Sequence, residues 1–222
     1  MSANNITYND LKNLILGALN RDDPRVIEQL NTFIMLPQRY VCRKLNITGF
    51  QRFYEGNFIT DQATVAKPLD WLTTFSFRVY YNKPYQTLFN NSKRLKNRVW
   101  TYCEQYNEDN TARGVPSQYS DMEYGDWRVA LIPDQAYPYI IGYYQIPNLL
   151  SEENQQNFLT QYNPDCIYYG AVSEANYFLQ NYGEGDKWKQ LFLDSIENMK
   201  WQDNRLVGDI GDSRVLSDKG AS

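Results

Sequence analysis

Apolar positions change their period along the chain, and the changes mark its elements. Near the start, Leu11, Leu14, Ile15 and Ala18 recur at three- and four-residue steps, one face of a helix. Thr7 stands where an N-cap belongs, with Asp10 as the acidic partner of a capping box. After a polar turn at 20–23, Asp23 caps a second helix with Pro24 at its first position. Val26, Leu30, Phe33, Ile34 and Val41 carry its stripe to about Leu45, and Pro37 inside it predicts a kink over 33–36. From Gly49 the period shortens. Phe75, Phe77 and Val79 alternate with Thr74, Ser76 and Arg78, which predicts a half-buried strand over 74–81. Residues 50–59 and 85–89 read as further strands, with a turn at 67–70. The stretch 92–106 fits both periods; Leu95, Val99, Tyr102, Cys103 and Tyr106 favour a helix that Ser92 would cap.

A polar loop at 107–114 leads to three strands, 118–124, 127–132 and 137–145. The short turns at Gly125-Asp126 and 133–136 make them antiparallel neighbours. Pro147 ends the sheet, and 148–162 is a connection with a helical turn expected at 152–158. The stretch 163–183 then organises the rest. Asn163 is a cap, Pro164 a first helical residue and Gly183 a left-handed stop. Ile167, Ala171, Ala175 and Phe178 form its stripe, widened by Tyr168, Val172 and Leu179. Gly170, Ala171, Ser173 and Ala175 are small enough for another helix to approach closely. Asp186 caps a last helix whose face is Trp188, Leu191, Phe192, Ser195, Ile196 and Met199. After Val207 the pattern fails into Gly, Asp and Ser. The expected fold is α+β: a four-helix bundle from 1–48 and 148–206, an antiparallel β insertion at 49–147 between helices 2 and 3, and an extended C-terminal tail at 207–222.

Composition narrows function mostly by exclusion. The 222 residues carry 42% hydrophobic and 22% charged side chains, enough for a globular core. A net charge of -4 argues against a nucleic-acid grip. With no histidine, Ser-His-Asp and Cys-His catalysis and His-based metal sites fall away. Cys42, Cys103 and Cys166 are odd in number and widely spaced, which fits a reducing cytoplasm better than disulfides or zinc. No signal peptide, membrane span, phosphate-binding loop or dinucleotide fingerprint stands out, so no cofactor, metal or catalytic group is expected. The sequons at Asn5, Asn46 and Asn90 read as chance without secretion. Arg39, Arg43 and Lys44 crowd the end of the second helix, either complementing its dipole or meeting an acidic partner. Glu174, on the apolar margin of the central helix, reads as pairing with an Arg across a helix or subunit boundary.

The order of the later pieces resembles the head-to-tail adaptor (connector) proteins of tailed bacteriophages. The matching pieces are Gly114-Val-Pro116 and Tyr119, the run from Trp127 to Pro133, Tyr137 to Tyr144, Pro147 and Leu149-Leu150-Ser151. Asn157-Phe-Leu159, Tyr162-Asn-Pro-Asp165, the run from Ala171 to Leu179 and Trp188 complete them. The resemblance implies a structural virion protein at the head-tail junction, assembled in the host cytoplasm. It implies a ring, a homo-dodecamer, seated under the portal protein and facing a tail or nozzle protein, with DNA passing through unbound and no membrane contact. It makes 207–222 the portal-binding arm, with Val207, Ile210, Arg214, Val215 and Leu216 as anchors, and puts Glu174, Arg39 and Arg43 at the subunit interface. An unusually long loop near Glu108 departs from the pattern.

Two other classes compete. A carbohydrate-binding module would use the tyrosines and Trp71, Trp100, Trp127, Trp188 and Trp201 as an exposed, coplanar row. A hydrolase or metal site would use Asp121, Glu123 and Asp126, which read instead as solvated charges at a strand end.

Overall fold

Thr7 opens the first helix as its spacing predicts. Its side chain accepts from the Asp10 N–H at 3.2 Å while the Asp10 carboxylate accepts from the Thr7 N–H at 2.9 Å. The structure is a computed structural model that describes residues 6–81, 92–107, 112–121 and 125–217, with side chains to residue 205. Helix α1 is Tyr8–Leu19 and α2 is Pro24–Lys44, capped by the Asp23 carboxylate on the Arg25 N–H. Val26, Leu30, Phe33, Ile34 and Val41 are buried as expected, and α2 continues through Pro37. Leu14, expected on the buried face of α1, is 44% exposed.

The central helix, α5 (Pro164–Phe178), buries Ile167, Ala171, Val172 and Ala175 completely. Its ends differ from expectation. The Asn163 side chain makes no capping bond, and the left-handed residue is Gln180, at φ 58°, rather than Gly183. Gly183 already lies inside α6, which runs Tyr182–Ser217. Asp186, expected as its cap, sits in its second turn and accepts from the Tyr177 hydroxyl at 2.6 Å. Leu191, expected on the buried face of α6, is 44% exposed, while Phe192, Ile196 and Met199 are buried.

A four-helix bundle with an extended tail does not form. Among the described residues there are six α-helices and two four-stranded sheets. The connection before α5 folds its own short helix, α4 (Phe158–Tyr162), because Asn157 caps it by accepting from the Leu159 and Thr160 N–H groups. Helix α5 is touched by α1, α2, α4 and α6, a centre with four neighbours. No proline follows Pro164, so nothing sterically stops α6, and helical backbone continues to Ser217 where an extended tail was expected.

The chain divides into two compact units, Met1–Gly49 with Pro147–Ser222, and Phe50–Ile146. In the second, β1 (Gln51–Asn57), β8 (Pro138–Gln145), β3 (Trp71–Tyr80) and β4 (Ser92–Arg94) form one antiparallel sheet in that order. The other sheet orders β2 (Thr64–Ala66), β7 (Asp126–Ala130), β6 (Gln118–Asp121) and β5 (Lys96–Asn97). The insertion is not wholly antiparallel, since β5 and β6 run parallel. The stretch 92–106 satisfies both of its periods, as β4, β5 and then α3 (Trp100–Tyr106), with Val99 at the N-cap in place of Ser92. The strand expected at 85–89 lies outside the described residues, as do residues 108–111 of the loop at 107–114.

The two sheets share one core. Phe77, Val79, Tyr139 and Ile141 from the first meet Val65, Tyr119, Trp127 and Val129 from the second. Phe75 was expected beside Phe77. An irregularity between Thr74 and Ser76 shifts the register, so Phe75 moves to the outer face, over Gly142. A Cβ on Gly142 would lie 2.5 Å from the Phe75 ring, so the bare backbone there is the ring's seat.

Candidate functional site

Gly170 brings α5 against α2. A Cβ at that position would come within 2.4 Å of Pro37 Cβ and 3.1 Å of the Phe192 ring, so only a hydrogen fits. Ser173 closes the other contact, its hydroxyl donating to the Gly185 carbonyl of α6 at 3.0 Å. Both are among the small residues expected to admit a neighbouring helix.

Where the three helices part, a groove of about 430 Å³ opens. Its floor is Pro37, Gly170 and Phe192, and its apolar rim is Leu36 and Tyr40. Arg39 and Arg43 from α2 and Lys189 from α6 set three cations around it, with half-buried Glu174 as the one carboxylate. Arg39 and Arg43, one turn apart on α2, are thus brought together with Glu174 of α5, which is distant in sequence. No ion pair among the described residues joins Glu174 to either arginine. Lys189 lies 5.5 Å from the centre of the Tyr177 ring, and Tyr40 packs its ring 5.6 Å from that of Phe192. A cationic rim over an apolar floor suits an acidic protein surface with apolar anchors.

Beneath α2 lies a polar network that sequence reasoning missed. Gln38 is fully buried; its Nε2 donates to the Ile34 carbonyl at 3.0 Å. Its Oε1 accepts from the Leu150 N–H and from Asn157 Nδ2, both at 3.0 Å. These bonds pin the returning chain to α2 and hold the cap of α4 in place. The available signal was a polar residue four positions after Ile34, inside an apolar stripe. Burial raises the Cys42 and Cys166 thiols to about 11, which keeps both protonated and inert.

The other residues singled out are placed as follows. Val207, Ile210, Arg214, Val215 and Leu216 lie on the last turns of α6, and their side chains are outside those described. Asp121 is not an open carboxylate. It lies 3.4 Å from the buried Lys67 ammonium and accepts from Thr74 at 3.3 Å. Lys67 is packed 3.5 Å from the centre of the Trp71 ring, and desolvation lowers its pKa. Thr74 also accepts from the indoles of Trp71 and Trp127, at 3.0 and 2.8 Å. Glu123 lies outside the described residues, within which no cluster of three or more Cys, Asp or Glu could hold a metal ion. On the outer sheet face Phe53, Phe75 and Tyr144 form a row, but successive rings are tilted by 83° and 58°. A flat sugar ring needs coplanar partners, and this row does not offer them. Among the described residues no helix is long and apolar enough to cross a membrane.

The helical unit, the two-sheet insertion and a groove suited to protein contact accord with a structural component of a phage particle, a head-to-tail adaptor. The family model described as SU10 adaptor protein matches residues 6–213, and the chain belongs to that family. No curated protein matches the chain.

Proposed function

We propose that this adaptor forms a homo-oligomeric ring between the portal and the tail, extends the DNA conduit and has no catalytic role. The family match across both units is the observation that carries the reading. Support comes from the groove that joins Arg39, Arg43 and Glu174, which offers charge and apolar surface to a neighbouring subunit. The net charge of -4 suits a channel that lets DNA pass without holding it. The last turns of α6, with Val207, Ile210, Arg214, Val215 and Leu216, are the segment that reaches the portal. The ring is a homo-dodecamer, its other side faces a tail or nozzle protein, and assembly takes place in the host cytoplasm.

The test is to mix the purified chain with portal protein and follow it by size-exclusion chromatography and electron microscopy. A ring on the portal is expected; separate migration at every concentration overturns the proposal. Deleting 207–222 should leave the fold intact, by circular dichroism, and abolish portal attachment. A truncated chain that still attaches removes the arm from the proposal while leaving the ring.

A further inference from the structure

The helical unit carries a second groove, and its charge is opposite to the first. It encloses about 350 Å³ and is lined by Asp165 and Asp194, with Tyr162 and Leu191 beside them and no Lys or Arg. Tyr162 is 68% and Leu191 44% exposed, so this groove also presents apolar surface. Asp194 accepts one bond, from Gln190 at 2.8 Å, and its side chain stays exposed.

The two grooves flank one helix. At about 100° per residue, Lys189 and Leu193 stand on one side of the buried stripe of Phe192, Ile196 and Met199. Leu191, Asp194 and Asn198 stand on the other side. A single chain therefore presents a basic, apolar-edged groove and an acidic, apolar-edged groove on different faces of one unit.

We infer that the basic groove of one copy docks on the acidic groove of the next, with Arg39 and Arg43 meeting Asp165 and Asp194 while Leu36 and Tyr40 cover Leu191 and Tyr162. The inference rests on the ring reading above and names the surfaces that would close it. A twofold contact through either groove would bring like charges together, which is costly. Pairing unlike grooves is head-to-tail, leaves one of each open at every step, and generates a closed ring or a filament. Glu174, alone among cations, would face the amides of Asn198 and Gln202, which donate to a carboxylate.

Charge reversal tests this with a built-in rescue. One variant carries Arg39→Glu and Arg43→Glu; the other carries Asp165→Lys and Asp194→Lys. All four side chains are exposed, so folding should survive, as circular dichroism would verify. Assembly of the full chain, alone and on portal, is read by sedimentation velocity. Each variant alone should lose self-association by about a hundredfold or more in dissociation constant. An equal mixture should regain it, because the acidic-acidic and basic-basic chains then alternate. If the natural chain assembles and both variants assemble as well as it does, the ring stands and this pairing is wrong. The pairing is also overturned if the variants fail and their mixture fails too. A natural chain that never associates, even on portal, overturns the ring reading itself.

Discussion

Replacing Gly170 with Ala sets two effects of known size against each other. In an exposed helix the change stabilises, because Ala is favoured over Gly by about 1 kcal/mol. At Gly170 the new methyl would sit 2.4 Å from Pro37 Cβ, and carbon atoms pack at about 3.5–4.0 Å. Pro37 cannot swing aside, since its ring is closed on the backbone of α2. The helices must therefore separate by about 1 Å, which loosens every contact between them, and overpacking of this kind costs about 1–3 kcal/mol. The clash should win, leaving Gly170→Ala destabilised by about 1–2 kcal/mol. Gly17→Ala is the control: Gly17 lies in α1, where an added methyl would meet nothing within 4 Å, so it should gain up to about 1 kcal/mol. Urea unfolding of both variants measures the two signs. If Gly170→Ala stabilises as much as Gly17→Ala, the close approach of α2 and α5 is not what the packing implies.

Two further outcomes are expected. Gln38→Leu strands the buried Leu150 N–H and takes one of the two acceptors of the Asn157 amide, which keeps the Asn148 carbonyl at 3.1 Å, and should cost about 1–3 kcal/mol; an unchanged urea midpoint would contradict the network. Burial raises the Tyr119 and Tyr143 hydroxyls from 10.0 to about 12, so the folded state holds protons that the unfolded state has released between those values. Their contribution to stability is complete below about pH 10 and is lost as pH rises toward about 12. An alkaline melt followed by tyrosinate absorbance should show these groups ionising with unfolding, and a smooth titration near 10 would refute their burial.

Much of the local structure was legible because its causes lie within a few residues. Thr7 and Asp10 cap α1 by themselves, Asp23 and Pro24 start α2, and the turns at Gly125-Asp126 and 133–136 bound β7 and β8. The buried stripe of α2 follows from spacing alone, and so does that of α5 up to Ala175, whereas Phe178, expected on it, is 46% exposed at the end of the helix. The site was legible only in parts: Arg39 and Arg43 stood out as a charge cluster, Glu174 as an acid on an apolar margin and Gly170 as a small residue. Nothing in sequence spacing says that these share a groove, because that depends on the angle at which α2, α5 and α6 pack. For the same reason the sequence does not announce the acidic groove, Gln38 under Leu150, or Lys67 against Trp71. Phe75 is the plainest case. Alternation put it inward, and one register shift against β8 turned it outward. Periodicity is set by the bond geometry of neighbouring residues and belongs to the sequence. Which distant surface each face meets is settled by packing, and that decision belongs to the tertiary structure.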